Sequence, residues 1–383
     1  MTSEINTVQA AVVNQFEFQA FVREKMRAAI RFTLATVLEE EVSAVIGAQR
    51  YERTDSRRDQ RNGTYARDLG TGVGVIRDLA IPRTRKGFKT HLFEQYRRRQ
   101  AELDTAIGDM FVYGTSMTRV GEVVETLTGQ RPSPSTVSRV FHSLDDEFEV
   151  WKKRALSDRY RYIFLDGTYF TVIYDQAGQK TPILAAVGIR WTGEREVVAF
   201  RVGDRENQTA WEDLLQDLLD RGVKHVALFI TDGGPAMLNA LTVKFATTPR
   251  QRCVLHKMDN ILSYVPTSQR ESVEAELKPI FYQASREKAD QLAVAFREKF
   301  RALYPTAIEC MERDWEACLT FYAFPKAHWK TIRTNNVIER LFGEVKKRSH
   351  KMAAAFRNED SCLLMFYAVI RSLTFKKLAV TDK

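Results

Sequence analysis

Two apolar runs, each carrying one aspartate, constrain the architecture of this 383-residue chain more than any other feature. The first is Tyr162-Ile163-Phe164-Leu165-Asp166-Gly167-Thr168-Tyr169-Phe170. It reads as a buried strand, with β-favouring residues on both sides of the acid. Burying a lone carboxylate there is costly unless something neutralises it. The second run, Val226-Ala227-Leu228-Phe229-Ile230-Thr231-Asp232-Gly233-Gly234, ends in an acid. Its glycines let a helix or a ligand approach closely. A third acid, Glu339, lies where a long helical pattern begins after Arg333-Thr334-Asn335-Asn336-Val337-Ile338.

The pattern around these runs is β, then α/β. A long strand from about Tyr160 runs to Tyr174, a turn at Asp175–Gly178 follows, and Pro182–Ile189 returns. A third strand covers Glu196–Val202, a helix about Asn207–Leu219, then the strand ending at Asp232. A short helix (Pro235–Phe245) and a short strand near Arg252–Leu255 complete the order β-β-β-α-β-α-β. That order is the one found in a ribonuclease H-like core, where the first and fourth strands are neighbours. Asp166 and Asp232 are therefore expected side by side. Residues 257–330 read as helical, with candidate helices at Ser268–Gln283, Arg286–Leu303 and Thr306–Ala317. The pattern then resumes with Glu339 opening a helix to about Ser349 and a last helix at Glu359–Phe375.

Ahead of this core, residues 16–46 carry Phe18, Val22, Met26, Ile30, Leu34, Val37 and Val45 at helical spacing, with Gly47 as the stop. This is one long helix or two broken near Thr33, packed on its own domain or on a second chain. Arg50–Arg99 is basic and polar, with Arg57, Arg58, Arg61, Arg83, Arg85, Lys86 and Arg97-Arg98-Arg99 spaced by Gly, Asn and Thr. Such clusters suit phosphate contact. Within it, Val73–Ile81 reads as a short strand or hairpin edge ended by Pro82. Residues 100–153 have a helix-turn-helix pattern: Ala101–Tyr113, then a helix opened by Gly114-Thr115-Ser116 and closed by Gly129. The buried face of that second helix is expected to carry Val120, Val123, Val124 and Leu127. A third helix has Ser133 as N-cap and Pro134 as first residue. Val137, Val140, Phe141 and Leu144 form its inner face, leaving Ser135, Thr136, Ser138, Arg139 and His142 outward, as on a major-groove reader.

The expected fold class is thus α/β: a ribonuclease H-like catalytic core with an all-α insertion, preceded by a helical, helix-turn-helix DNA-binding region. The boundaries fall at 1–99, 100–155, 156–256, 257–330 and 331–383. A net charge of +9 points to a polyanionic partner, nucleic acid being the commonest. The four cysteines, Cys253, Cys310, Cys318 and Cys362, form no Cys-x-x-Cys pair, which argues against a closed structural zinc site and a disulfide scaffold. No basic leader with an apolar core and no apolar run of membrane-spanning length is present. A cytoplasmic, nucleoid-associated protein with no membrane partner is expected.

Three acids suit phosphodiester chemistry. Two divalent ions about 4 Å apart activate the attacking oxygen and stabilise the leaving one. Mg²⁺, with Mn²⁺ as substitute, needs few carboxylate ligands. Asp166 is expected to bridge both ions, with Asp232 completing one and Glu339 the other. Lys346 lies seven residues beyond Glu339, about two helical turns, so it shares a face with the acid. Arg340, Lys347 and Arg348 extend a basic rim. Cys253-Val254-Leu255-His256 has two metal-capable side chains, but two ligands without partners make a poor zinc site. A role beside the metal ligands or against DNA, and a plain structural role, both stay open for Cys253 and His256.

With these pieces the chain resembles the Mutator-type transposases of bacterial insertion sequences, members of the DDE superfamily, over nearly its whole length. The matching pieces are Leu165-Asp166-Gly167, Thr231-Asp232-Gly233, Cys253-Val254-Leu255-His256 and Asn335-Asn336-Val337-Ile338-Glu339-Arg340-Leu341. Arg61-Asn62-Gly63, Ile81-Pro82-Arg83 and Gly114-Thr115-Ser116 match as well. The resemblance implies catalysis by Asp166, Asp232 and Glu339 with Mg²⁺, and binding of double-stranded DNA at terminal inverted repeats and at a target. It also implies a homodimer on paired ends. In that family Cys253 and His256 form a Cys–His pair, and an aromatic of the insertion stacks on a displaced base, with Trp315 the first candidate and Trp329 the second. A ribonuclease H-like nuclease would share the acids without needing the basic N-terminal region. A non-catalytic DNA-binding regulator would not need the acids.

Overall fold

The computed structural model describes residues 15–92, 101–203, 205–352 and 355–379. The chain divides into two compact units, Met1–Ser143 and Leu144–Lys383.

The first unit begins with one unbroken helix, α1 (Gln15–Ile46), so Thr33 marks no break. Only its C-terminal half buries the apolar stripe. Leu38 packs with Ile76, Leu79 and Ile81, while Val42 and Ile46 pack with Ala48. Phe18, Phe21, Met26, Phe32 and Val45 are exposed. The partner of α1 is a hairpin of β1 (Arg61–Thr71) and β2 (Gly74–Thr84). This ribbon is longer than the single short strand the sequence suggested, and Pro82 lies within β2 instead of ending it. In a two-stranded ribbon every strand is an edge, so a residue without an N–H is tolerated. The triple Arg97-Arg98-Arg99 lies outside the described residues.

Three short helices follow: α2 (Ala101–Val112), α3 (Met117–Thr128) and α4 (Pro134–His142). Their ends are set by local chemistry. The Ser116 and Ser133 hydroxyls accept from the N–H groups of Arg119 and Thr136, and Gly129 closes α3 at φ 74°. Phe111 meets Phe141 edge-on at 5.0 Å, fastening α2 to α4. Leu127, expected on the inner face of α3, is exposed instead.

The second unit starts with α5 (Asp145–Lys153), whose Phe148 packs on Phe200 and Tyr367. A five-stranded mixed sheet forms its centre, in the order β5-β4-β3-β6-β7. The strands are β3 (Arg159–Tyr174), β4 (Ala177–Arg190), β5 (Arg195–Val202), β6 (His225–Thr231) and β7 (Arg250–Arg252). One face is covered by α6 (Gln208–Asp220) and α7 (Pro235–Lys244), where Trp211, Leu214, Leu215 and Leu218 are buried against Ile163, Leu165 and Phe229. Each such side chain contributes roughly 1.5–3 kcal/mol relative to exposure.

From β7 to residue 335 the chain forms helices and turns only. These are α8 (Val254–Ser263), α9 (Arg270–Leu277), α10 (Arg286–Phe300), α11 (Pro305–Glu312), α12 (Trp315–Leu319) and α13 (Trp329–Ile332). They are shorter than the sequence pattern implied. Pro279 turns the end of α9 into a 3₁₀ segment, and a break at Arg313–Asp314 separates α11 from α12. The chain closes with α14 (Asn336–Met352) and α15 (Glu359–Ser372).

Candidate active site

Strand β3 positions the first acid. It pairs in parallel with β6 from Arg159↔His225 to Phe164↔Ile230. The same offset separates Asp166 from Asp232, so the two acids stand at matching positions where β6 ends and β3 continues. Farther along, Phe356 bridges to β3 beside Val172. Asp166 therefore occupies a gap in the flank of β3, beside the carboxyl end of the parallel strand β6. Helix α14 packs against β3 and β4, bringing Glu339 in its first turn.

The three acids act on one another. Asp166 is 7% exposed, and burial pushes its carboxyl up to about 7. The negative charges of Asp232, Glu339 and Glu206 push the same way, opposed by the Gly167 N–H, which donates to Asp166 Oδ1 at 2.9 Å. Asp232 is held by the Gly234 N–H at 2.9 Å. Gly233 takes φ 82°, and a Cβ there would stand 2.5 Å from the Arg252 guanidinium, so this turn needs glycine.

Asn335 fastens the third acid to the first. Fully buried, it donates from Nδ2 to the Leu165 carbonyl at 3.2 Å and from its backbone N–H to Cys253 Sγ at 3.3 Å. Its own carbonyl accepts the N–H groups of Ile338 and Glu339, starting α14. One residue thus ties the strand position before Asp166, the thiol of Cys253 and the helix of Glu339 together. The chain marked it by its place before a helical pattern and at the head of the Asn335–Leu341 piece, neither of which showed what it binds.

Cys253 and His256 lie at this junction. Cys253 is fully buried, and its thiol is pushed up to about 11 by burial, against N–H groups of His256, Asn335 and Leu255 directed at the sulfur. His256 Nδ1 is 3.9 Å from Glu339 Oε1 and, although buried, has no hydrogen-bond acceptor. Ligand atoms of Cys253, His256 and Glu339 all lie within 4.8 Å of one another. The third partner missing from the Cys–His pair in the sequence is supplied by the fold.

Glu206 is the site residue that the sequence reading missed. It lies in the loop before α6, its Oε1 only 2.8 Å from where a Gly167 Cβ would be, and it accepts from the Tyr169 hydroxyl at 3.2 Å. Burial raises its carboxyl, as does Asp232. In the run Arg205-Glu206-Asn207 it carries no mark distinguishing it from a solvated loop acid.

The other predicted contacts divide. Arg340 is exposed, the Lys346 ammonium is 5.9 Å from the Phe170 ring, and Lys347 pairs with Glu344 at 3.2 Å. In the first unit Arg58, Arg83, Arg85, Lys86, Ser135 and Arg139 are exposed, and Ser138 is half-buried. Arg61 is committed elsewhere, bonded to Glu39 at 2.6 Å and to Ser43 and Ala48. Arg57 is bonded to the carbonyls of Glu52 and Asp59. Thr136, expected outward, is buried, its hydroxyl within bonding distance of Ser133 and Arg139, because it forms the capped first turn of α4. Trp315 is also a correction. It is 8% exposed, its indole N–H donates to Asp290 at 2.8 Å, and its ring packs on Phe281 and Arg297. Trp329, half-buried, donates to the Phe324 carbonyl and meets Tyr322 edge-on.

Beside Gly233 lies a second group of charges. Arg252 donates to Asp314 Oδ2 at 2.6 Å, and Lys257, 1% exposed, reaches the same oxygen at 3.2 Å. Gln251 joins this region by bonding the Cys318 carbonyl and the Phe321 N–H.

Comparison with known proteins gives these features a context. The family described as "Transposase, Mutator family" matches residues 1–377. The transposase for insertion sequence element ISRM5 of Rhizobium meliloti (strain 1021) is 32% identical over 345 residues, covering 90% of this chain and 86% of the relative. The transposase for IS1201 of Lactobacillus helveticus is 30% identical over 363 residues, covering 94% and 96%. That for IS256 in transposon Tn4001 of Staphylococcus aureus is 30% identical over 343 residues, covering 88% and 87%. Among solved structures, a Mos1 transposase paired-end complex matches 58% of this chain and 82% of that one at 12% identity, with a TM-score of 0.18, a likeness too slight to define the fold. A match from end to end, with relatives of the same length and kind, places this chain in the Mutator family of transposases, proteins of insertion sequences that carry out DNA transposition.

Proposed function

We propose that this chain is a DDE transposase with a ribonuclease H-like core and an all-α insertion, which binds the terminal inverted repeats of its insertion sequence and cleaves and joins DNA strands. The observation that carries this reading is the gathering of Asp166, Asp232 and Glu339 around a gap in β3, where burial and the neighbouring carboxylates raise Asp166. Mutually repelling carboxylates in a half-buried crevice fit a divalent cation, Mg²⁺ or Mn²⁺, as the missing charge. Such ions, when bound, activate an attacking hydroxyl and stabilise the leaving oxygen.

The chain's own groups set the geometry for that chemistry. Asp166 is fixed by the Gly167 N–H, Asp232 by the Gly234 N–H, and Glu339 by a helix pinned through Asn335. The Asp166 and Asp232 carboxylates and the helix that carries Glu339 are thus held before substrate arrives, so little backbone reorganisation is left for the reaction. Arg340 and Lys346 line the same helix and meet the phosphates beside the scissile bond. Ser135, Ser138 and Arg139 on α4 face the DNA grooves, while Arg58, Arg83, Arg85 and Lys86 hold the backbone. The exposed Phe18, Phe21, Met26 and Phe32 on α1 support a homodimer, the assembly that pairing two transposon ends requires.

The test is incubation of the full chain with duplexes carrying the element's terminal repeats, with Mg²⁺ or Mn²⁺, mapping nicks on each strand. Nicks at the repeat boundary followed by strand joining are expected. Cutting that ignores the repeats would favour a structure-specific nuclease, and binding without any cutting would favour a regulator.

A further inference from the structure

We propose that Cys253, His256 and Glu339 form a binding site for a thiophilic divalent cation of the zinc class, distinct from the all-oxygen set around Asp166. The three ligand atoms already lie within 4.8 Å of one another. Zinc bonds of about 2.0–2.3 Å to nitrogen, oxygen and sulfur need them only moderately closer. Glu339 and His256 are half-exposed and stand 3.9 Å apart, so rotation of either side chain closes the set around the fixed sulfur.

Each ligand is prepared for a metal in a way that a structural role does not explain. Cys253 is the N-cap residue of α8, and the Asn335 backbone N–H donates to its sulfur at 3.3 Å. A bound cation ionises a coordinating thiol outright, its proton leaving to solvent. Cys253 and His256 share the first turn of α8, so one rigid helix end presents both. The buried His256 Nδ1 has no hydrogen-bond partner among the described residues, a vacancy that a metal bond would satisfy. Glu339 completes three protein ligands, leaving a fourth position open to water or a phosphate oxygen. Sulfur and imidazole select Zn²⁺, Co²⁺ or Cd²⁺ over Mg²⁺, which takes oxygen ligands. The two metal classes are therefore sorted by donor chemistry, with Glu339 standing between them.

The experiment uses the full chain without DNA or Mg²⁺, so its outcome does not depend on the transposase reading. Titration with cobalt(II) chloride is expected to give one equivalent per chain. It should show a thiolate-to-cobalt charge-transfer band and the strong ligand-field absorption of a tetrahedral centre. Zinc chloride should displace the cobalt, and excess magnesium chloride should not. Cys253→Ser should abolish the charge-transfer band and weaken zinc binding at least about 100-fold, whereas Cys310→Ser keeps both. His256→Gln serves as a second variant should Cys253→Ser fail to fold by circular dichroism; it should retain charge transfer but lose tetrahedral intensity. Absence of a charge-transfer band in the unaltered protein, or its survival in folded Cys253→Ser, overturns the site.

Discussion

Two clusters of charged residues lie along the segment from Thr231 to Lys257, and they are built on different rules. On one side Asp166, Asp232, Glu339 and Glu206 gather, and burial with the neighbouring carboxylates is what acts most strongly on Asp166. On the other, Arg252 and Lys257 share the carboxylate of Asp314, and the group is closed by pairing. Both put charge into the protein interior, where it is tolerated only when paired, hydrogen-bonded or neutralised. In the paired cluster Asp314 takes both cations, leaving only the Arg252 Nε without a hydrogen-bond partner among the described residues, and the group reads as a clamp between the sheet and the helices of residues 254–332. The acidic cluster gathers like charges instead, and its unmet electrostatic demand marks it as the place where something else binds.

The largest effect expected from breaking this contrast is catalytic. Asp166→Asn, Asp232→Asn or Glu339→Gln should each lower strand cleavage and transfer at least about 10³-fold, with repeat binding by gel shift changed only a few-fold. Unchanged strand transfer in any of the three removes that acid from the chemistry.

Next comes the stability of the metal-free protein. Burial and like charge raise the Asp166 carboxyl to about 7 in the folded chain, from 3.8. The folded state therefore holds this proton more tightly than the unfolded one. Stability from this group is present at low pH and is lost as pH climbs through 7. Asp166→Asn lacks that loss, so in chelator at pH 8 it should be more stable than the unaltered chain, by on the order of 4 kcal/mol at most. Urea unfolding at pH 5 and pH 8 checks this: the advantage must widen with pH, and a constant difference would refute the account.

The paired cluster should answer differently. Asp314→Ala leaves the buried Lys257 without its carboxylate and should cost roughly 3 kcal/mol at pH 7 in the same unfolding assay. A loss below about 0.5 kcal/mol would place it with ordinary surface pairs.

The smallest effect sharpens the boundary of the acidic cluster. Glu206 lies across Gly167 and is held by Tyr169. Glu206→Gln should reduce strand transfer less than about tenfold at saturating Mg²⁺ and raise the Mg²⁺ needed for half-maximal rate. A loss as large as that of Asp166→Asn would make Glu206 a ligand in its own right.

Much of this molecule was legible in the chain because local rules wrote it. The apolar runs around Asp166 and Asp232 made strands because nothing but burial suits them, and the strand order then placed the two acids at matching register. Ser116, Ser133, Gly129 and Pro134 set helix ends through bonds made within a few residues, which any such sequence would make. What lay beyond local rules was decided by contacts between segments far apart. Thr136 turned inward because a capped turn claimed its hydroxyl, and Trp315 was buried because Phe281, Asp290 and Arg297 surround it. Glu206 joined the acids only because the loop before α6 comes to rest on Gly167. Asn335 and the meeting of Cys253 and His256 with Glu339 depend on α14 docking against β3, more than 160 residues along the chain. The sequence by itself determined the elements and the residues able to bear charge or metal, since periodicity and side-chain chemistry are local properties. Only the tertiary structure decided which of those residues share a site, since proximity between distant segments is a property of packing and is written in no single stretch of sequence.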